Sequence, residues 1–523
     1  MYAWGNEIER DIITETVNGL SIPTYESRPV NLPNTLQTSA LLHPERVALV
    51  CGDTRITYED FYRRVLTIAT YLHDECNFQR GERIAIILKN TAEFCIMTYA
   101  ALFAGLIVVP ISTKLRPNEM AVLLNDAKVN GIVIDSDEQA QALSALLIIK
   151  ARFFYQSSVM SNFGVEYQDF SPLPQLSTHD PAFIMYTSGT TGNPKGVVLS
   201  HFNAIHGAIN YERCYGLTSA DKTIIAVPIF HGTGLMAQLV TFVYLGGTIV
   251  LLETFNAHQM LELSEKEQIT HTICVPTIYN LLMQVPNYSN YNLTYRVLGT
   301  GGAPISQKLF QNIKNWLPNA ELLNTYGLTE ATSPALMTPK EMARHKIGSI
   351  GIASPVIECR IIDIDEGGPV KTGQPGEILL KGALITSGYW NNETATRETI
   401  VDGWLHTGDV GWMDDDGFVY LCDRIKNMIN RGGEKIYSIE VEDVISSHPE
   451  VLEVAAVGVA DELYGEVVKA VVIPVHGNTL KAEDIISWAS ERLAKFKVPR
   501  FVEFRDSLPR NAAGKVVKSS LRE

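Results

Sequence analysis

The strongest constraint on the fold is a repeated alternation of short β-rich runs and helical patterns. Arg83–Leu88 reads as a strand, Thr91–Ala104 as a helix stopped by Gly105, and Leu106–Pro110 as the next strand. Helical Asn118–Asp126 and strand-like Gly131–Asp135 continue the series. The rhythm returns at Thr223–Val227 (strand), Gly234–Tyr244 (helix), Thr248–Leu252 (strand), His258–Glu267 (helix) and His271–Val275 (strand). Strands separated by helical crossovers pair in parallel and need helices on both faces, so an α/β fold of mostly parallel, helix-covered sheets is predicted. The most apolar stretch, Leu235–Leu252, belongs to this pattern. The pair Gly246-Gly247 divides it into a buried helix and a buried strand, well short of the roughly 20 residues a membrane-spanning helix needs.

From about Ser349 the pattern changes. Strand-like runs at Glu358–Asp363, Gly376–Lys381 and Phe418–Cys422 are separated by glycine-rich turns, which predicts a small antiparallel, barrel-like β subdomain. A further α+β unit follows, with helices at Ser438–Ser447 and Ala482–Leu493 and strands at Val451–Val459 and Val467–Val475. The charged segment Asp423–Asn427 is the expected boundary. It divides the chain into a large N-terminal domain, 1–423, and a small C-terminal domain, 424–523. A chain of 523 residues is too long for one core, which agrees with that division.

Charge narrows the partners. The net charge of −15 disfavours nucleic acid and acidic membrane surfaces as main partners. Seven cysteines are scattered without a C-x-x-C pair, so neither a disulfide framework nor a zinc site is indicated. Met1–Ile12 is polar and acidic, with no basic stretch leading into an apolar run, and no signal peptide is expected. A cytoplasmic protein, monomeric or homo-oligomeric, is the expectation.

The run from Met185 to Val197 (MYTSGTTGNPKGV) carries the chemistry. Within it, Thr187, Ser188, Gly189, Thr190, Thr191, Gly192 and Lys195 combine hydroxyls, glycines and an ammonium between two apolar segments. Such a loop can bring backbone N–H groups, hydroxyl donors and a cation up to a polyphosphate. It is not the common GxxxxGK[ST] loop, because Pro194 precedes Lys195 and Gly196 follows it. Further on come GTGGAP from Gly299 to Pro304, a turn-like glycine run expected to follow a strand at Arg296–Leu298, NTYGLTE from Asn324 to Glu330, HTGD from His406 to Asp409, NRGGEKIYSIE from Asn430 to Glu440, and PRNAAGK from Pro509 to Lys515.

These motifs, in this order, resemble the acyl-adenylate-forming superfamily: acyl-CoA synthetases, adenylation domains and beetle luciferases. The resemblance runs from about Pro33 to the C-terminus and is nearest in character to chlorobenzoate and crotonobetaine/carnitine CoA ligases. It implies a site for ATP and magnesium. The Met185–Val197 loop would hold phosphate, with Thr190 acting in catalysis. Gly301, Gly302 and Ala303 would wall the adenine and acyl pocket. Tyr326 would stack on adenine, Asn324 would reach its polar edge, and Thr325 would lie beside them. Thr329 would contact the α-phosphate and Glu330 would hold Mg²⁺. Asp409 would grip the ribose, with Arg424 a second ribose or phosphate contact.

The resemblance also assigns Lys515 as the catalytic lysine and Lys426 as a hinge. Gly432 and Gly433 would line a path for a pantetheine arm, with Tyr464 and Phe496 near the CoA nucleotide. Relatives usually carry Pro where Ser438 stands, and Ser438 is expected to serve as a helix N-cap instead. In the segment Pro228–Gly234, His231 stands where amino-acid-adenylating relatives place an Asp for the substrate ammonium. An organic acid lacking an α-amino group is therefore expected, in a pocket formed by His231, Gly232 and Gly301. The implied activity is an ATP-dependent carboxylate–CoA ligase in two steps, giving acyl-adenylate plus pyrophosphate and then thioester plus AMP. A separate acyl carrier protein is the alternative acceptor, and a non-catalytic nucleotide-binding module the alternative outside the enzyme class.

Overall fold

Parallel strands buried on both faces form the centre of the molecule. The structure is a computed structural model describing residues 2–165, 172–187, 194–303, 305–475, 480–510 and 516–522. Ile107–Pro110, Gly131–Ile134, Thr248–Leu251 and His271–Cys274 are buried at every position, as expected of strands covered on both sides. A six-stranded sheet runs in the order Lys195–Ser200, Pro181–Thr187, Ile107–Pro110, Arg83–Ile86, Gly131–Ile134, Arg152–Tyr155. A larger sheet places His271–Cys274, Val297–Gly301 and Glu321–Tyr326 side by side in parallel.

Helices fill the space between the sheets. The helix Ala92–Phe103 is capped by the Thr91 hydroxyl and has eleven buried residues. His201–Tyr215 is buried almost all round, as a helix enclosed by other elements must be. Its polar groups are satisfied: Asn203 donates to the carbonyls of Ala383 and Ile385, and Tyr25 donates its hydroxyl to Asn210. Burial pushes His201 down to about 4 and His206 down to about 3, so both are neutral structural groups at pH 7. The apolar helix that opens at Gly232 passes through a π-helical turn, Leu235–Val240, and stops at Gly246. Among the described residues no helix is long and apolar enough to cross a membrane.

The antiparallel subdomain is an extension of the large sheet. Beyond Glu321–Tyr326 the order continues through Leu336–Met337, Ser349–Ala353, Val419–Arg424, Trp404–Met413, Gly376–Gly382 and Ile357–Ile362, with every neighbouring pair antiparallel. The strand Val419–Arg424 runs one residue past the expected boundary, because Arg424 pairs with Asp409. The small C-terminal domain has its own five-stranded sheet, centred on the hairpin Val451–Asp461 and Gly465–Pro474. Its separate apolar core includes Ile429, Val441, Ile445, Val468 and Ile485.

Candidate active site

Two cavities meet at the C-terminal ends of the parallel strands, the edge where open α/β sheets bind ligands. The smaller, about 150 Å³, is lined by Thr187, Gly301, Thr325, Thr329, Glu330 and Arg424 among others. The larger, about 550 Å³, is bounded by Pro228, Phe230, Phe255, Val275 and Ile278. His231, Thr233 and Gly302 line both. Sequence-predicted residues from five separate segments are thus brought to one place.

Thr187 and Lys195 face each other across the antiparallel pair Pro181–Thr187 and Lys195–Ser200. Ser188, Gly189, Thr190, Thr191 and Gly192 lie outside the described residues. The Lys195 ammonium sits 5.0 Å from the ring centroid of Tyr389, and the Tyr389 hydroxyl donates to Glu330 Oε1 at 2.9 Å. Burial and the Glu330 charge push the Tyr389 phenol up, so it remains a donor at neutral pH.

The segment Thr386–Trp390 ties this corner together. Thr386 N donates to Glu330 O (2.9 Å), Val198 N to Gly388 O (3.0 Å) and Trp390 N to Gly196 O (2.7 Å). One short strap therefore fixes the phosphate-loop strand and the Glu330 turn relative to each other. Sequence reading missed Tyr389. The available signal was a glycine followed by two aromatics, Gly388-Tyr389-Trp390, between two strand-like runs.

The glycine segment at 299–301 is part of the strand Val297–Gly301, whereas the sequence reading placed it after the strand. A Cβ on Gly301 would lie 2.7 Å from the carbonyl oxygen of Thr325 on the neighbouring strand. Close strand packing therefore requires this glycine, whatever lies against it. Ala303 is exposed just beyond the strand.

Strand alternation separates the NTYGLTE residues. On Glu321–Tyr326 successive side chains point to opposite faces. Thr325 faces the smaller cavity, while Asn324 donates to Ser349 O (2.8 Å) beside a separate hollow. Tyr326 is buried and donates to Asp409 Oδ2 at 2.6 Å, and Arg424 Nε donates to Asp409 Oδ1 at 2.5 Å. Burial and the Asp409 charge raise the Tyr326 phenol far above its ordinary value. Tyr326, Asp409 and Arg424 thus form one hydrogen-bonded unit that carries a guanidinium to the cavity wall. His406 is turned away, its Nδ1 2.9 Å from Glu377 Oε2.

The larger cavity lies between the two sheets. Asn90, also unforeseen, holds its wall. It is buried, donates to the carbonyls of Ile225, Val227 and Leu252, and accepts from Ile229 N. At the mouth, Lys89 from one sheet pairs with Glu253 from the other at 3.0 Å. Arg510 of the C-terminal domain also lines this cavity and pairs with Glu453 at 2.7 Å. At the inner end His231 caps the next helix, its ring accepting from Thr233 N at 3.4 Å.

Gly432 and Gly433 form the turn of a tight hairpin between Ile429–Arg431 and Glu434–Ile436. Their φ values of +61° and +96° are costly for other residues. Tyr464 adjoins them: its carbonyl accepts from Gly432 N, and Arg431 lies 3.8 Å from its ring centroid. Phe496 instead packs against the small domain's core. Neither cavity is lined by any of these four residues. Lys426 sits in the one-turn 3₁₀ segment Ile425–Asn427, where burial and nearby Arg424 lower its ammonium. Ser438 is not the N-cap. Tyr437 occupies that position and Ser438 is the first helical residue, with its N–H bound by the carboxylate of Asp423. Lys515 lies outside the described residues.

Comparison with known proteins supplies a lineage for this arrangement. Residues 36–390 match the family described as AMP-binding enzyme, and residues 440–515 its C-terminal domain. The chain is 33% identical to the feruloyl-CoA synthase of Amycolatopsis sp over 484 residues, 92% of this chain and 96% of that one. It superposes on the o-succinylbenzoate CoA synthetase of Bacillus subtilis, solved with its acyl-adenylate intermediate. There the TM-score is 0.85, with 30% identity, over 95% of this chain and 99% of the other. The same synthetase solved with ATP and a magnesium ion gives a TM-score of 0.83 at 30% identity, over 94% and 99%. The chain belongs to the AMP-binding enzyme family, the acyl-adenylate-forming superfamily, on its acyl-CoA synthetase branch.

Proposed function

We propose that this AMP-forming acid–thiol ligase joins an organic acid without an α-amino group to coenzyme A, through an acyl-adenylate held where the two cavities meet. The observation that carries this reading is the junction itself. His231 and Gly302 line both a polar cavity bearing Glu330 and Arg424 and an apolar cavity large enough for an acyl group.

Each side chain then has a task. Thr187 and Lys195 hold phosphate. Arg424, braced by Asp409 and Tyr326, presents a fixed guanidinium to the nucleotide. The substrate carboxylate is already ionised at pH 7 and needs no general base. Its attack on the α-phosphorus requires alignment and charge neutralisation, which Thr329, Lys195 and Lys515 provide. In the acyl cavity, Lys89 and Glu253 neutralise each other at the mouth, and Phe230, Val275 and Ile278 accept an aryl or alkyl tail. Residues 1–423 and 424–523 act as the two bodies, joined at Arg424. Lys426 is the pivot that brings Gly432, Gly433 and Tyr464 to the junction for the thiol step, with Phe496 beside the CoA nucleotide.

Magnesium fits the site. Among the described residues no group of three or more His, Cys, Asp or Glu could enclose a metal ion. Glu330 offers a single hard carboxylate on the cavity wall, which suits an ion that keeps its waters and shares phosphate oxygens. Magnesium bound there would neutralise charge on the phosphates. Glu330→Gln keeps an acceptor for the Tyr389 hydroxyl and loses the charge. The apparent magnesium requirement should rise and the adenylation rate fall, while the thermal unfolding midpoint stays near that of the parent protein. An unchanged magnesium titration would remove Glu330 from this role.

The deciding experiment measures pyrophosphate release against aryl, short-, medium- and long-chain acids and α-amino acids, each with and without coenzyme A. Simple carboxylates should release pyrophosphate, and coenzyme A should convert the product to a thioester. An α-amino acid outperforming the best simple carboxylate would overturn the reading of His231.

A further inference from the structure

A buried hydrogen bond crosses the boundary between the two domains. Asp423 belongs to the strand Val419–Arg424 of the large sheet and is 1% exposed. One carboxylate oxygen accepts from Arg424 N at 2.7 Å, and the other accepts from Ser438 N. Ser438 opens the nine-residue helix Ser438–Ser446 of the small domain and is itself fully buried. First-turn N–H groups have no partner inside their own helix and attract a negative charge. A carboxylate of one domain thus caps a helix of the other. The Ser438 hydroxyl is engaged too, accepting from Lys518 Nζ at 2.5 Å, and the same ammonium pairs with Glu442 at 2.6 Å.

The pivot lies between Asp423 and Ser438, and its limits can be read from neighbouring bonds. Upstream, Arg424 is held by its pairing with Asp409. Downstream, the Arg522 guanidinium donates to the carbonyl of Lys426 at 2.9 Å. That oxygen lies beyond both rotatable backbone bonds of Lys426. It travels with the small domain in any rotation made at Lys426 or earlier, and the Arg522 bond survives. The Asp423–Ser438 bond cannot survive, because its acceptor stays with the large sheet while its donor moves with the helix. A second boundary contact, Lys435 to Asp365 at 2.8 Å, is between exposed side chains, and pairs of that kind contribute little.

We propose that Asp423 and the Ser438 N–H form a latch that holds the present domain arrangement and opens for the second half-reaction. Both are positioning residues, and the latch rests on the two-arrangement reading given above. A charge-assisted hydrogen bond between buried groups is strong enough to bias two arrangements by about tenfold or more.

Ser438→Pro is the informative variant. Proline suits the first helical position and deletes the N–H. It also requires an extended residue before it, and Tyr437 is extended at φ −87°, ψ 121°. Ser438→Ala keeps the N–H and removes only the hydroxyl. Asp423→Asn keeps an acceptor of the same shape without the charge. One label is placed on each domain of the full chain, and the interdomain distance distribution is measured without ligands. The rates of the two half-reactions are measured separately.

Ser438→Pro should shift the distribution away from the present arrangement by about tenfold and move the ratio of the half-reactions toward thioester formation by a similar factor. Ser438→Ala should keep the parent distribution, and Asp423→Asn should fall between. A parent-like distribution in Ser438→Pro, or equal shifts in Pro and Ala, overturns the latch. A parent protein that releases no pyrophosphate with any acid overturns the functional reading instead, and the distance measurement still decides the latch.

Discussion

Lys515→Ala should slow acyl-adenylate formation by several orders of magnitude and leave thioester formation from pre-made acyl-adenylate nearly intact. When a carboxylate approaches the α-phosphate of ATP, two anions must join. A cation at that point stabilises the transition state far more than either separated reactant. Both ends of the segment that carries Lys515 are fixed. Arg510 and Val516 form an isolated antiparallel bridge, and Val517 N donates to Pro509 O at 2.8 Å. Arg510 itself lines the acyl cavity. The root of the segment is therefore held at the wall of the acyl cavity, whose inner end is the junction where the proposal puts the reacting carboxylate. The thiol step has no phosphate charge to bring together with a carboxylate, and it uses the Gly432–Tyr464 tip of the same domain. Equal loss in both half-reactions would show that Lys515 is structural, or that one arrangement serves both steps.

Much of the fold was legible because burial leaves a plain record. Strands covered on both faces read as short apolar runs, and the helices between them carry glycine stops at Gly105 and Gly246. Ends differed by one to three residues, as at Gly131–Ile134 against the expected Gly131–Asp135 and Ala482–Ser490 against Ala482–Leu493. The reading failed where tertiary pairing sets the outcome. The glycine run at 299 looked like a turn, yet Gly299 and Gly301 sit in a strand packed too closely for a side chain. Ser438 carried a good capping side chain. Yet Ser438 stands one place inside the helix, and Asp423, fifteen positions earlier, supplies a charged oxygen to the N–H of Ser438 itself.

The site shows the same division. Glu330, Arg424 and His231 were found because they stand inside motifs. Tyr389 and Asn90 were not, because their importance lies in partners distant along the chain. Asn90 meets carbonyls more than 130 residues away, at Ile225, Val227 and Leu252, and no local pattern announces such a contact. Residues that position others are less visible in one sequence than residues that form a compact motif.

Lys426→Pro should abolish transfer of the acyl group to coenzyme A while acyl-adenylate formation continues. A swinging domain concentrates its rotation in one or two residues. Here the Arg424–Asp409 pairing and the Arg522 bond to the Lys426 carbonyl leave Ile425 and Lys426 as the free links. Proline fixes φ near −65°, a value natural to the 3₁₀ turn that holds Lys426 in the present arrangement. It also disfavours a helical conformation at Ile425, so adenylation should slow modestly. Ile425→Pro is the matched control. Its predecessor, Arg424, is already extended at φ −98°, ψ 141°, so proline at 425 fits the present turn and leaves Lys426 free. If Lys426 is the pivot, Ile425→Pro should retain both half-reactions, and Lys426→Ala should too. Loss of the thiol step in Ile425→Pro with a working Lys426→Pro would move the pivot to Ile425. Damage in Lys426→Ala equal to that in Lys426→Pro would assign the ammonium a direct contact in place of a hinge.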